Sequence, residues 1–283
     1  MMSENLRKHP LNKDFVWQQP DPPYELVTDE QARLYREQGG FVLYDAFDQD
    51  ELTALLADLD DAENAANEFN KSLSPDQPSI SRADEIVFSP HLVARSSIAK
   101  SFAQHPKLVA LCRDLIGPQV RLYWDQLVYK RPGTPDEFPW HQDNGYTFVE
   151  PQQYLTCWVA LNDATVDNGC PWIAPGVHKQ GTLFHKWTNL GFQCFAEFPD
   201  AVATPVPAGS IAVFSSLTPH RTGPNLTDGV RKSYILQYAP DGAVVFPRVA
   251  RGSETEEAGV LDDAILADAP ERQFFVTGDV DRT

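Results

Sequence analysis

The sequence is poor in cysteine and in positive charge, and it has no long apolar run. Its four cysteines form no Cys-x-x-Cys pair in a chain of 283 residues, which predicts reduced thiols. Lysine and arginine number 23 against 40 aspartates and glutamates, and the net charge is −17. This balance argues against nucleic-acid binding, which needs clustered basic side chains. No apolar run reaches the length of a membrane-spanning helix, about 18 residues or more.

The first residues, 1–8, also lack the apolar core of a secretion signal. We therefore expect a soluble, cytoplasmic protein without a membrane partner. No internal repeat is evident, and nothing in the sequence indicates the oligomeric state.

What is present is typical of a folded globular protein, with 42% hydrophobic and 11% aromatic residues. The length suits a β-sandwich or barrel with added helices. We predict an irregular, proline-rich arm over 1–27, a single domain over 28–250 and an acidic extension over 251–283. Within that extension, 274–276 is apolar and is expected to dock back onto the domain.

Two capping boxes predict the first helices. Thr28 and Gln31 form one box, and its helix should end at Gly39, where a positive φ is favourable. Asp48 and Glu51 form the second box at the start of a helix with a leucine stripe.

This second helix is predicted over 49–66. The following segment, 67–90, is rich in serine, proline, asparagine and aspartate and is expected to be a loop. Such a loop could cover an active site or could be a plain exposed connection. Two further helices are predicted over 91–103 and 106–116.

The second half of the chain is typical of β-structure. Alternating and β-branched patterns predict strands at 41–44, 121–130, 154–161, 204–207, 210–214 and 231–238. Helices first and strands afterwards indicate an α+β fold that is mainly β.

The stretch from Pro139 to Tyr146 contains the pair His141 and Asp143. On an extended strand, residues two apart point to the same face and lie about 6.5–7 Å from each other. An imidazole and a carboxylate in this arrangement can hold one ion if a third ligand comes from elsewhere. That set is the 2-His-1-carboxylate triad of non-haem iron oxygenases. The pair alone has little specificity, because a polar strand end would look the same.

Further along the chain lie His220 and the pair Arg231 and Ser233. Together with His141 and Asp143 they resemble the phytanoyl-CoA dioxygenase family of Fe(II)/2-oxoglutarate oxygenases. The distance of eleven residues between His220 and Arg231 (231 − 220) agrees with that family, as does the loop and strand between Asp163 and His178. The resemblance extends over about residues 28–248.

The resemblance implies a double-stranded β-helix, the jelly-roll or cupin architecture, with the N-terminal helices packed on one sheet. It also implies Fe(II) bound by His141, Asp143 and His220, with 2-oxoglutarate and O₂ as co-substrates. The expected reaction hydroxylates an unactivated C–H bond of a small or medium organic molecule and yields succinate and CO₂. Asp143 argues against the family's halogenases, which have a small residue there.

The sequence does not distinguish hydroxylation from other reaction outcomes. Desaturation, ring formation and endoperoxidation use the same intact triad. The alternative from another class is a non-catalytic jelly-roll protein that binds a metal or a small ligand.

The resemblance also assigns the 2-oxoglutarate pocket. Arg231 and Ser233, two apart on a strand, are expected to face the barrel interior and to hold the far carboxylate, for which the planar guanidinium suits bidentate binding. Thr222 matches a family position that helps to hold the same carboxylate. Arg221, next to His220, is the alternative cation.

Gln142 and Trp158 match family residues that line this pocket. Gln126 is a candidate hydrogen-bond donor behind it. A role in the core would explain Trp158 and Gln126 equally well. His178 is expected to hydrogen-bond to the backbone, and His185 has no assigned role. Aromatic walls around a few polar groups suit a small organic substrate. The candidate substrate contacts are Asn144, Tyr146, Phe148 and Trp172.

Overall fold

The computed structural model describes residues 6–73, 79–246, 265–266 and 271–277. Its α-helices are α1 (Asp29–Gln38), α2 (Gln49–Ser72), α3 (Ser97–Phe102), α4 (Pro106–Ile116) and α5 (Asp143–Tyr146). Its strands are β1 (Gly40–Leu43), β2 (Ile86–Pro90), β3 (Val120–Lys130), β4 (Phe138–His141), β5 (Phe148–Glu150), β6 (Leu155–Ala160), β7 (Pro171–Ile173), β8 (Lys186–Thr188), β9 (Gly191–Gln193), β10 (Val202–Ala203), β11 (Ile211–Ser215), β12 (His220–Thr222), β13 (Arg231–Pro240), β14 (Val244–Phe246) and β15 (Ile265–Leu266). None of the described helices is both long and apolar enough to cross a bilayer.

Both predicted capping boxes are present. The hydroxyl of Thr28 accepts a hydrogen bond from the backbone N–H of Gln31 at 3.2 Å, and the Gln31 side chain accepts one from the Thr28 N–H at 3.0 Å. Asp48 and Glu51 form the same reciprocal pair at 2.9 Å in each direction. Gly39 ends α1 with φ 93°, the left-handed conformation that glycine adopts at least cost.

The expectation of a loop over 67–90 is wrong at both ends. Helix α2 continues to Ser72, and the last five residues of the segment form strand β2. The helix extends because Asn67 is buried and bonded to Asp84: its amide donates to the carboxylate at 2.9 Å and its oxygen accepts the Asp84 N–H at 2.8 Å. These tertiary contacts outweigh the loop-like composition.

The helix predicted over 91–103 is interrupted. A 3₁₀ turn at Leu92–Ala94 precedes α3, which begins after the cap residue Ser96. The buried carboxylate of Asp125 accepts the N–H groups of Leu92 and Val93 at 2.8 and 3.2 Å. A carboxylate on the neighbouring sheet thus satisfies the first donors of this segment.

Two antiparallel sheets form the body of the molecule. The larger has the order β1-β11-β6-β13-β3-β2 and the smaller the order β10-β7-β12-β4. The strand predicted over 204–207 is mostly absent, since β10 ends at Ala203 and only Val206 forms an isolated bridge, to Ala164. Pro205 and Pro207 lack the N–H groups that a longer strand would need.

Alternation along β13 separates two cores. Tyr234 and Leu236 belong to a cluster that includes the apolar faces of α1, α2 and α4, which therefore pack on one face of the larger sheet. Ile235 belongs to a second cluster with Trp158 and with Phe138 of the smaller sheet. The space between the two sheets is thus lined by every second residue of the central strands.

The end of the described chain lies against the start of β3. The carbonyl of Phe274 accepts the N–H of Leu122 at 2.9 Å, and the hydroxyl of Thr277 accepts the N–H of Val120 at 2.7 Å. Of the acidic extension predicted over 251–283, all but 265–266 and 271–277 lies outside the described residues.

Candidate metal centre and adjoining cavity

His141, Asp143 and His220 come together at one end of the smaller sheet. His141 is the last residue of β4 and His220 the first of β12, and the two residues are direct partners across the antiparallel register. Asp143 does not share an extended strand with His141, as the spacing suggested, because the chain turns and Asp143 opens α5. A Cβ on Gly145 would lie only 2.1 Å from the ring of His185, so glycine at this position leaves room for that ring against the backbone.

The three side chains are close enough to share one ion. Nε2 of His141 lies 3.9 Å from Oδ1 of Asp143, and Nε2 of His220 lies 3.8 Å from the same oxygen. One ligand atom from each residue falls within 4.8 Å of the other two. Two imidazoles and one carboxylate are the donor set of non-haem iron sites that leave coordination positions open.

Backbone carbonyls orient both imidazoles. Nδ1 of His141 lies 2.8 Å from the carbonyl oxygen of Pro139, and Nδ1 of His220 lies 3.0 Å from that of Thr218. A proton on each Nδ1 leaves the lone pair of Nε2 directed at the shared site, the usual arrangement of metal-binding histidines. Burial, with the nearby His220 adding to it, holds the pKa of His141 well below its ordinary value, so this imidazole is in the neutral, ligating form.

The carboxylate of Asp143 is held by a side chain of the larger sheet. Its Oδ2 accepts a hydrogen bond from the hydroxyl of Thr156 at 2.5 Å, which leaves Oδ1 toward the two imidazoles. Burial raises the pKa of Asp143, while His220 and hydrogen bonds from Thr156 and Gln237 act in the opposite direction.

A cavity of about 340 Å³ adjoins these three residues between the two sheets. Its remaining lining residues are Ile80, Ile86, Phe88, Tyr123, Trp124, Gln126, Val128, Phe138, Tyr146, Thr147, Tyr154, Thr156, Trp158, Phe214, Thr222, Arg231, Ile235 and Gln237. The cavity is therefore mostly aromatic and aliphatic, and its polar groups are few.

Arg231 is the buried cation of this cavity. Its side chain is 0% exposed, and one guanidinium nitrogen donates to the hydroxyl of Ser233 at 2.6 Å. The Nε and the other terminal nitrogen have no partner among the described residues. Burial lowers the pKa of Arg231 to about 10, so the group remains charged at neutral pH. A buried guanidinium with two unmet donors calls for an anionic ligand with two acceptor oxygens.

Comparison with known proteins decides the family. A family model for phytanoyl-CoA dioxygenase matches residues 35–233. The chain belongs to the phytanoyl-CoA dioxygenase family. This confirms the relationship inferred from the sequence, to a family of Fe(II)/2-oxoglutarate oxygenases.

Curated relatives match only part of the chain. The phytanoyl-CoA dioxygenase of Arabidopsis thaliana is 28% identical over 180 residues, 62% of this chain and 62% of that protein. The methylphosphonate hydroxylase of Gimesia maris is 32% identical over 125 residues, 44% of this chain and 47% of that protein. The chain therefore spans less than two thirds of the length of either relative.

Solved structures confirm the predicted jelly roll. The non-haem α-ketoglutarate-dependent carbocyclase SnoK from nogalamycin biosynthesis superposes with a TM-score of 0.64 at 22% identity, covering 77% of this chain and 86% of that one. EctD from S. alaskensis, solved with 2-oxoglutarate and 5-hydroxyectoine, superposes with a TM-score of 0.62 at 21% identity, covering 83% of each chain. At this identity the likeness establishes the fold.

Two residues that match family positions, Thr222 and Trp158, line the cavity, as do the candidate donor Gln126 and the candidate substrate contact Tyr146. The Trp158 ring lies 5.2 Å from the central carbon of the Arg231 guanidinium, so the indole covers one face of the cation. Ser233 lies behind the guanidinium rather than in the lining, and it passes the hydrogen bond on to the carbonyl of Val128 at 2.9 Å.

Gln142 does not face the cavity, contrary to the expectation for a family member. Its amide is fully buried and donates to the carbonyls of Gly181 and Leu217 at 3.0 and 2.6 Å. Its oxygen accepts the N–H of Leu183 at 2.6 Å. Gln142 is extended and directly follows His141, so its side chain points to the opposite face, where it connects the loops that contain Gly181 and Leu217.

Three of the four proposed substrate contacts also lie elsewhere. Asn144 is fully buried and bonded within the fold, Phe148 stacks on His9 with ring centroids 4.7 Å apart, and Trp172 packs under Arg221. None of the three lines the cavity. The directions of these three side chains depend on the α5 turn and on how the loops pack. The order of residues in the sequence does not reveal either.

The remaining candidates are accounted for. Arg221 pairs with Glu137 and lies over two tryptophans, and it is not part of the cavity lining. The ring of His178 bonds to the carbonyl of Arg36 at 3.2 Å, as expected. His185 accepts the backbone N–H of Gln142 at 2.9 Å and so supports the chain between the ligands.

Sequence reasoning missed two kinds of residue. Tyr123, Trp124, Tyr154 and Gln237 line the cavity, but strand alternation alone does not say which face is the site. Lys130 is 1% exposed, although a lysine at the end of a predicted strand is ordinarily solvated. No sequence signal marks its burial, because the pairing of its strand with the strand that carries Arg231 is decided by the fold.

Asn144→Ala is expected to destabilise the fold without changing substrate preference. The Asn144 amide donates to Thr182 at 2.7 Å and its oxygen accepts the Val149 N–H at 2.9 Å. Leaving these buried partners unsatisfied costs about 1–3 kcal/mol each. Thermal unfolding measures the loss, and a changed substrate profile with unchanged stability would contradict the structural placement.

Proposed function

We propose that this protein is a non-haem Fe(II)- and 2-oxoglutarate-dependent dioxygenase that hydroxylates an unactivated C–H bond of a small or medium organic molecule. The observation that carries the proposal is one cavity that contains both the triad of His141, Asp143 and His220 and two Arg231 nitrogens that lack a partner among the described residues. Family membership supports the same reading.

The residues present fit both cofactors. The triad would hold Fe(II), and Arg231 with Thr222 would hold the far carboxylate of 2-oxoglutarate. Bound iron and 2-oxoglutarate supply the oxidising chemistry, with O₂ consumed and succinate and CO₂ formed. The protein contributes the orientation of the ligands, a buried cation and walls that exclude water.

The rest of the lining indicates the chemistry of the substrate. Apart from Asp143 and Arg231, no aspartate, glutamate, lysine or arginine is among the described residues that line the cavity. Tyr123, Trp124 and Gln126 offer aromatic surface and a neutral amide. An uncharged organic molecule therefore suits this cavity better than the anion named in the methylphosphonate hydroxylase relative.

The triad is also compatible with other outcomes of the same chemistry, namely desaturation, ring formation and endoperoxidation. Asp143 at the third ligand position is unlike the small residue of the family's halogenases. The non-catalytic alternative is disfavoured because two buried nitrogens of Arg231 have no partner among the described residues, and such donors beside a metal triad call for an anionic co-substrate.

Purified protein loaded with Fe(II) should convert 2-oxoglutarate to succinate in the presence of O₂ and ascorbate, slowly without a substrate and faster when a substrate is found. One metal per chain should be needed, and a surrogate such as nickel or zinc should block turnover. Quantifying succinate tests this, with metal-stripped protein as the control. No succinate from fully iron-loaded, folded protein would favour the non-catalytic alternative.

A cytoplasmic location is part of the proposal. All four cysteines are free thiols and three of them are buried, which suits a reducing compartment. The excess of acidic residues supports a small-molecule partner rather than a nucleic acid.

A further inference from the structure

Lys130 and Arg231 are two buried cations on the same face of the larger sheet. They are direct partners across the antiparallel register of β3 and β13, and directly opposed residues project to the same side. The ammonium nitrogen of Lys130 lies 3.4 Å from the hydroxyl oxygen of Thr222, which lines the cavity together with Arg231. Lys130 itself stands one step behind the cavity wall.

No carboxylate of the described residues forms an ion pair with Lys130. Its Nζ donates instead to the carbonyl oxygens of Asp136 at 3.1 Å and Gly223 at 2.5 Å. Both are neutral acceptors, which hold the head group in place without balancing its charge.

The charged groups around Lys130 come from three elements. Arg231 approaches from β13, Arg82 from the turn before β2, and the carboxylates of Asp136 and Glu137 from the segment before β4. Those two carboxylates are engaged elsewhere: Glu137 pairs with Arg221, and Asp136 lies 3.5 Å from Arg82.

Together, burial and the neighbouring charges disfavour the charged form of the Lys130 amine. Burial first, and then the positive charges of Arg231 and Arg82, lower the pKa of Lys130 to about 7. At pH 8 most of the protein without ligand then has a neutral amine at this position. An anion placed against Arg231 and Thr222 would reverse the balance, because it opposes the positive charge that Lys130 faces.

We propose that Lys130 is a positioning residue for the far carboxylate of 2-oxoglutarate, and that binding of this carboxylate draws one proton from solvent onto the Lys130 amine. The ammonium group donates to the oxygen of Thr222, and the Thr222 hydroxyl donates its own proton to the carboxylate that Arg231 holds. The inference rests on the proposed function, since it requires 2-oxoglutarate in this cavity.

The sign of the pH dependence follows from linkage. Below the pKa of the free protein, Lys130 is charged before and after binding, and 2-oxoglutarate binds with full affinity. Between the pKa of the free protein and the higher pKa of the complex, binding takes up a proton and affinity falls as the pH rises. Each unit by which binding raises the pKa corresponds to about a tenfold change in affinity between the two limits.

Calorimetric titration of 2-oxoglutarate into the anaerobic Mn(II)-loaded protein measures this coupling. Titrations at pH 8 in HEPES and in Tris, whose ionisation enthalpies differ, give the number of protons taken up. If binding raises the pKa of Lys130 by one unit, the wild type should take up about 0.4 proton more per bound 2-oxoglutarate than Lys130→Met does. The affinity of Lys130→Met should be about tenfold lower at pH 6 and should converge with the wild type by about pH 9.

Two further variants separate the proposed role from simple structural support. Lys130→Arg keeps the charge but cannot lose it, so it should bind 2-oxoglutarate tightly without this proton uptake. Lys232→Met is the matched control, because Lys232 lies on β13 facing the helices, paired with Asp60 at 2.8 Å. It should retain both the affinity and the proton uptake of the wild type.

The outcomes separate the inference from the proposed function. If the wild type takes up no more protons than Lys130→Met, or if the affinity deficit of Lys130→Met is the same at pH 6 and pH 9, the role of Lys130 is overturned. If Lys130→Met does not fold, the uptake in the wild type and its loss in Lys130→Arg decide the question. Failure of 2-oxoglutarate to bind the wild-type Mn(II) protein would instead refute the proposed function.

Discussion

Asp143→Ala should abolish turnover. The substitution removes one of three protein ligands and the only negative charge in the candidate metal set, while leaving the Thr156 hydroxyl without its acceptor. Changes to residues that merely support a ligand cost about 10–100-fold, so loss of a ligand should exceed that range. Succinate formation with Fe(II), and the metal content after dialysis, are the two measurements.

The matched control is Asp167→Ala, which removes an exposed carboxylate from a loop of the same chain. It should behave as the wild type in both assays. Thermal unfolding of Asp143→Ala shows whether the fold persists. If the folded variant keeps more than about a tenth of the wild-type rate, Asp143 is not an iron ligand.

Arg231→Leu should weaken 2-oxoglutarate binding severely and leave metal affinity nearly intact. The guanidinium is fully buried, lines the cavity and has two nitrogens without a partner among the described residues. Removing one member of a buried ion pair costs about 3–5 kcal/mol, because the remaining charge is stranded. This corresponds to binding that is weaker by about a hundredfold to a few thousandfold.

Calorimetry with the anaerobic Mn(II) protein measures this loss directly. Arg231→Lys should be intermediate, since an ammonium group replaces the planar fork. Arg221→Leu is the control, because Arg221 pairs with Glu137 outside the cavity lining. Unchanged affinity in Arg231→Leu together with a large loss in Arg221→Leu would place the far carboxylate of 2-oxoglutarate on Arg221 instead.

Helix ends and central strands could be predicted because their causes are local. The boxes formed by Thr28 with Gln31 and by Asp48 with Glu51 satisfy N–H groups within three residues of each other, so the sequence contains both partners. The extension of α2 could not be predicted in the same way. It depends on the bonds between Asn67 and Asp84, which the chain brings together only after it has folded back.

The candidate metal ligands were accessible from the sequence because their types and order are characteristic of a family. His141, Asp143 and His220 were named from that pattern, and the structure brings them within reach of one ion. The expected extended strand through both His141 and Asp143 is nevertheless absent. The carboxylate arrives through the turn into α5, a geometry that the spacing of two residues does not specify.

The sequence by itself determined the family, the mainly β fold and the residues able to bind iron and a carboxylate. Only the tertiary structure decided which neighbours face the cavity. Gln142 and Asn144 flank Asp143 in the chain, yet both turn into the protein. Gln142 is still extended and so points to the face opposite His141, whereas Asn144 lies in the helical turn, about 100° around from Asp143. Lys130 and Arg231 are separated by 101 residues (231 − 130), yet they oppose each other, because strand pairing rather than sequence distance places side chains on a common face.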